Sequence, residues 1–340
     1  MTTPQEGAPL AGPVTPTRPE EGSQAIAVAA EGGGAGPGRS SRGGRGQTLL
    51  AKDKRFGYML AAPVVIILLV ITAYPLIYNI WNSFQHDVIN SGLPPTFAGV
   101  DNYRRIFTDT QFRPALLHTA LFTVVSVAVE TVVGLALALT LNRKFPGRGI
   151  VRAAIFIPWA VPTVVSAQLW KSMFDPQSGW VNFVLTKLHL PLAHTTWLAQ
   201  TWTAWGAILA ADAWRNTPFM AIVLLAGLQV IPGDIYEAAK IDGASAWETF
   251  RRITLPLLRP ALMVALIFRT LSSFLIFDVV YAMTGGGPGN STSVLSYLNW
   301  QAFFVYSDYG YGGAISVALV VIALVIAAAY VRAFRSEQVL

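Results

Sequence analysis

The chain has 340 residues, of which 53% are hydrophobic and 12% charged, with a formal net charge of +6 and no cysteine. Soluble domains carry about 25% charged residues, so an ordinary water-soluble globule is excluded, and the missing cysteines exclude disulfide frameworks, thiolate metal sites and cysteine nucleophiles. The positive surplus suits nucleic acid or an acidic membrane surface, and its placement along the chain decides between them.

Residues 1–55 read as a disordered tail, rich in Gly, Pro, Ser, Thr and Ala. Large apolar groups are too few there to offset the entropy of ordering. The Gly run at 32–34 is no phosphate loop, because no Gly-Lys-Ser/Thr follows it. The first long apolar stretch begins near Phe56, too late for a signal peptide. Six stretches then reach the roughly twenty residues a helix needs to cross a bilayer: 56–80, 115–141, 150–170, 203–230, 261–283 and 310–330. Their internal prolines (Pro63, Pro75, Pro158, Pro162, Pro218) are tolerable where neighbouring helices satisfy the freed backbone groups. The expected fold is all-α and integral to the membrane: a six-helix bundle over 56–335 behind a disordered tail. Glu130, alone in the second stretch, reads as one end of an interhelical hydrogen bond.

Alternating spans divide the connections into two sets. One set, from Arg39–Arg55 through Arg143–Arg152 and Lys240–Arg259 to Arg332 and Arg335, holds sixteen Lys and Arg; the other holds five. The positive-inside rule puts both termini in the cytoplasm. The excess charge is topological, which leaves membrane lipid rather than nucleic acid as its partner. Trp81, Trp170, Trp197, Trp202, Tyr281 and Tyr297 fall near the outer ends, where they suit interfacial anchoring or packing within outer loops. His189 and His194 share an outer loop at a spacing that puts them on no common helix face, so both read as solvated.

The connection over 231–258 carries two helix-start signals. Asp234 with Glu237, and Ser245 with Glu248, each fit an N-cap with its partner three residues on. Gly243 between them suits a left-handed turn, and Pro256 is expected to stop the second short helix. Ala238, Ala239 and Ala244 leave a close-approach surface around that turn. On this alone, a docking elbow and an ordinary surface loop both stay open. A DNA-reading helix-turn-helix does not fit a segment tethered so near two membrane spans.

The residues Glu237-Ala238-Ala239, Asp242-Gly243-Ala244, Phe250, Ile253, Leu255-Pro256 and Pro260 resemble the "EAA" loop of binding-protein-dependent ABC importer permeases. The resemblance implies a type I importer permease bundle in a bacterial cytoplasmic membrane. It implies that Glu237, Ala238, Ala239, Asp242, Gly243, Ala244, Leu255 and Pro256 couple to a separate cytoplasmic ATPase. Its expected partners are a second, similar permease, two ATP-binding cassette subunits and an extracytoplasmic sugar-binding protein. No cofactor is expected on this chain; ATP and magnesium belong to the ATPase. The run from Leu271 through Thr284-Gly-Gly-Gly-Pro288 resembles the maltose- and trehalose-type carbohydrate branch, and the first of its two permeases.

Asp212, Arg215, Asn216 and Phe219 in the fourth stretch share one helical face, as do Arg269, Ser272, Ser273 and Ile276 in the fifth. Hydrogen-bonding groups beside an aromatic ring make a reasonable sugar slot, and in the resembled permeases these two helices line the mid-membrane sugar site. The plain alternative is that Asp212 or Asp278 neutralises Arg215 or Arg269 between helices. Arg269, Ser272 and Ile276 depart from the aromatic and amide residues of the enteric maltose version, which points to a different sugar. Rival readings are a phosphorylated glycerol or polyol bound by Arg215 and Arg269, and an ion-coupled transporter relaying protons through Asp212, Arg269 and Glu130. A membrane enzyme is weakly supported, since the hydrolase and nucleotide-binding signatures are missing.

Overall fold

The computed structural model describes residues 44–337, with side chains for 59–334. Of these, residues 44–63 and 64–337 belong to separate units. The tail expected to be disordered lies outside the described residues as far as residue 43; from Gly44 onward the chain is helical, eleven residues before the tail was expected to end.

Helix α1 (Gly44–Asn82) leads through a short antiparallel ribbon, β1 (Gln85–His86) with β2 (Thr96–Phe97), to α2 (Asp101–Thr108) and α3 (Phe112–Asn142). Next come α4 (Arg148–Ala160), α5 (Thr163–Met173) and α6 (Trp180–Lys187), followed by α7 (Thr201–Val230) and α8 (Gly233–Ile241). Then α9 (Ala246–Thr249) runs through a π turn (Phe250–Thr254) into α10 (Leu255–Phe274). The chain closes with α11 (Asp278–Met283), α12 (Leu295–Trp300), a second π turn (Gln301–Val305) and α13 (Tyr309–Glu337).

Among the described residues, five helical segments are long and apolar enough to cross a membrane, and the bent pair α4–α5 supplies a sixth. The third expected span is therefore not one straight helix. Its halves meet at 94°. Val161 closes α4 in extended geometry and Pro162 precedes α5. Proline has no N–H to continue the ladder and pushes its predecessor out of helical geometry. The fifth span also differs from 261–283: it runs Ala246–Phe274, and Leu275 ends it. Pro256 does not stop a helix. The preceding π turn sends the Leu255 N–H to the Phe250 carbonyl, and Pro256 then occupies the first turn of α10, where no donor is required.

Helices α3, α7 and α10 form the middle of the bundle. Small residues let them approach. A Cβ on Gly134 would lie 2.7 Å from Met220 Cγ, and one on Gly227 would lie 2.4 Å from Ala261 Cβ. Lipid tails are as apolar as the side chains, so close van der Waals contact replaces the hydrophobic effect as the attraction between spans. Buried Leu141, Met220, Leu224, Leu228 and Leu258 fill the end of this core nearer the α8–α9 elbow. At the other end, α11 and α12 cover the tops of the long helices, and Arg105 of α2 is paired with Asp308 at 2.6 Å.

Candidate functional site

Three spans each contribute one polar face at the same level. On α3, Ser126 and Glu130 are four residues apart; on α7, so are Asp212 and Asn216; on α10, Arg269 and Ser273. Four residues is just over one helical turn, so each pair points the same way. Arg269 donates from Nε and Nη2 to Glu130, the latter at 2.7 Å, and from Nη2 to Asp212. Ser126 bridges the two carboxylates at 3.0 and 2.8 Å. Glu130 is 0% exposed, Arg269 4% and Asp212 5%. Of the pairings left open by the sequence, the one formed is Asp212 with Arg269. Glu130, read as an isolated hydrogen-bond partner, is the second anion of that cluster.

The network continues outward. Asn216 Nδ2 donates to Asp212 Oδ1 at 2.8 Å, and Arg215 Nη1 donates to Asn216 Oδ1 at 3.1 Å. Arg215 Nε then reaches the Val161 carbonyl at 3.1 Å, at the break between α4 and α5. That carbonyl has lost its helical donor at the bend, and the guanidinium replaces it.

Beside the cluster lies a cavity of about 390 Å³, within the range of about 300–1,000 Å³ usual for small-molecule sites. Its wall includes Asp212, Arg215, Asn216, Phe219, Arg269, Ser272 and Ile276, seven of the eight residues expected to form a slot. Ser273 is the exception: it is buried against the ion cluster, with its hydroxyl 3.5 Å from that of Ser126. The same wall carries Trp159 and Phe219, stacked at 6.4 Å, together with Phe268 and Phe277. Trp159, Phe268 and Phe277 escaped the sequence reading. Trp159 enters the wall only because the bend turns α4 against α7, and no local pattern marks such a bend's direction.

The elbow between α7 and α10 is built largely as its sequence suggests. Gly243 has φ +75°, the left-handed region. Gly243 N–H bonds the Lys240 carbonyl and Ala244 N–H bonds the Ala239 carbonyl, a Schellman closure of α8. Ser245 accepts from the Glu248 N–H at 3.3 Å, and Glu248 accepts from the Ser245 N–H at 3.0 Å, completing a capping box. Asp234 does not cap: α8 starts one residue earlier, behind Pro232, so Asp234 lies in the first turn and meets the helix dipole instead. Glu237, Ala238, Asp242 and Gly243 are exposed, Ala244 half-buried and Ala239 buried. Leu255 and Pro256 belong to the half-buried start of α10 rather than to the exposed elbow. Ile241 and Trp247 stand 87% and 67% exposed on either side of the turn. A groove of about 820 Å³ runs between the elbow and the end of α3, past Arg143, Tyr236, Trp247 and Phe250.

The glycine run after α11 has a packing role. Gly286 has φ +78°, and a Cβ there would lie 2.6 Å from Tyr297 Cε1. Gly286→Ala is expected to lower the thermal unfolding midpoint of the purified chain more than Gly289→Ala. Gly289 shares the positive φ, at +56°, but has nothing within 4 Å. Equal midpoints for the two variants would refute the packing role.

The profile of the family described as "Binding-protein-dependent transport system inner membrane component" matches residues 130–335. This chain belongs to that family. The permease is 42% identical over 287 residues to the trehalose/maltose transport system permease protein MalF of Thermococcus litoralis, covering 84% of this chain and 96% of that protein. It is 38% identical over 286 residues to the sulfoquinovosyl glycerol transport system permease protein SmoG of Agrobacterium fabrum, covering 84% and 92%. Its fold matches a chain of a bacterial ABC transporter involved in importing the acidic polysaccharide alginate, with TM-score 0.72 over 84% of this chain and 98% of that one, at 24% identity. The permease is thus a multi-pass inner-membrane transport subunit and not an enzyme.

Proposed function

We propose that this permease forms one half of the translocation path of an ATP-driven sugar importer. The observation that carries the reading is the cavity beside the ion cluster, whose wall combines amide, hydroxyl and guanidinium groups with stacked aromatic rings. A sugar presents both hydroxyls and an apolar C–H face, and this lining answers both. The named substrates of the relatives above support the same class. Asp212 and Arg269 hold the wall in shape, while Arg215, Asn216, Ser272 and Phe219 meet the solute.

In this reading both termini and the elbow face the cytoplasm. The elbow seats in a separate ATPase, which binds the nucleotide and its magnesium. Exposed Ile241 and Trp247 beside a left-handed Gly243 suit such a contact, because apolar side chains at a fixed turn supply both area and rigidity. A second permease closes the other side of the cavity, and an extracytoplasmic binding protein delivers the sugar. The test is uptake of labelled trehalose and maltose by vesicles holding the assembly purified from native membranes. ATP-dependent import of either supports the reading; import that persists without the ATPase overturns it.

Arg215 favours a second reading. Among the described residues no carboxylate lies within ion-pairing distance of its guanidinium, whereas Arg269 is flanked by two. An unneutralised cation in the wall suits an anionic sugar. Competition of uptake by a sulfonated glycoside, and loss of that competition in Arg215→Gln, separates this reading from a neutral substrate.

A further inference from the structure

We infer that a band of aromatic rings outside the cavity is the surface along which sugar reaches it; the inference rests on the sugar reading above. Phe277 stands in the cavity wall. Its ring centroid is 6.2 Å from that of Trp300, and Trp300 is 6.0 Å from Phe304. Phe304 is no part of the wall and is 70% exposed. Tyr281 and Tyr297 flank this line, 4.9 and 5.6 Å from Trp300. Phe277, Tyr281, Tyr297 and Trp300 also touch one another in every pairing, none further than 6.5 Å. The band therefore runs unbroken from the cavity to an open surface, at the end of the bundle away from the elbow.

Physical chemistry assigns it a use. A pyranose lays its C–H face on an aromatic ring while its hydroxyls stay in water, so a row of rings offers successive weak sites of similar strength. Conduction needs that balance: binding sufficient to enter at each step and weak enough to leave. Membrane-anchoring aromatics form belts at the interface with lipid. This band instead begins at the cavity wall, and its middle is supported from behind: Tyr297 is only 7% exposed and lies against Gly286, whose missing side chain makes room for the ring. The glycine run after α11 thus holds the band in place.

The experiment is labelled trehalose and maltose uptake by the vesicle-reconstituted assembly carrying Trp300→Leu, Trp300→Phe or Phe304→Leu. Leucine keeps apolar bulk and removes the ring. At limiting sugar, Trp300→Leu and Phe304→Leu are each expected to lower the initial rate about fivefold, and Trp300→Phe to stay within about twofold of the unaltered protein. Subunit composition and ATP hydrolysis should be unchanged. Unaltered uptake by both leucine variants would overturn the band while leaving the sugar reading intact. So would a loss shared by Trp300→Phe and accompanied by loss of the second permease, which would make this a packing surface. Import of neither sugar by the unaltered assembly would overturn the sugar reading, and the band with it.

Discussion

Arg269→Leu is expected to destabilise the permease by about 3–5 kcal/mol, the range for breaking a buried ion pair from one side. The substitution removes the cation from between two anions and leaves Glu130 and Asp212 facing one another through Ser126. Both carboxylates are sealed from water, at 0% and 5% exposure, so solvent offers no relief. Glu130→Gln should behave differently. It keeps the shape and an acceptor while removing one of two negative charges, which leaves Asp212 and Arg269 as a neutral pair. A cost of about 1–2 kcal/mol is expected from the weakened hydrogen bonds. Unfolding midpoints of the purified chain in detergent give the comparison. A Glu130→Gln variant less stable than Arg269→Leu would show that the cluster is not held by its central cation.

Gly243→Asp should abolish coupling and spare the fold. At φ +75° a residue with a Cβ bears about 1–2 kcal/mol of backbone strain, and Asp is among the residues that tolerate this region best. No atom of the chain lies within 4 Å of the added Cβ, so the bundle itself is undisturbed. The new carboxylate projects at the tip of the exposed elbow, between Ile241 and Trp247, where the proposed ATPase contact would have to desolvate it. Leaving a charge unpaired in such a contact costs several kcal/mol. Import is therefore expected to fall at least about tenfold, with the protein still inserted and its unfolding midpoint lowered only slightly. Ordinary import by this variant would remove the elbow from the coupling path.

The spans, the elbow and half of the cavity wall are legible in the sequence because each depends on neighbours along the chain. Twenty apolar residues declare a span whatever packs beside it. Ser245 and Glu248 make their box within one turn, Gly243 takes its φ from its missing Cβ, and the face Asp212–Phe219 follows from helical periodicity alone, whereas α10 ends at Phe274 and Ile276 reaches the cavity from the connection beyond it. The features that escaped depend on other segments. Pro158 and Pro162 announce a weak point in the third span, but nothing local sets the direction of its 94° bend, which lays α4 against α7 and α5 against α11. Pro256 reads as a helix stop until the π turn before it removes the conflict. Glu130 looks solitary because its cation is 139 residues away, and Arg269 looks like a ligand for the same reason. Local pattern determined what each helix could offer on one face. Only the three-dimensional arrangement of α3, α7 and α10 decided which of those groups satisfy each other and which remain turned toward the cavity, because a buried charge takes whatever partner the assembled fold puts within reach.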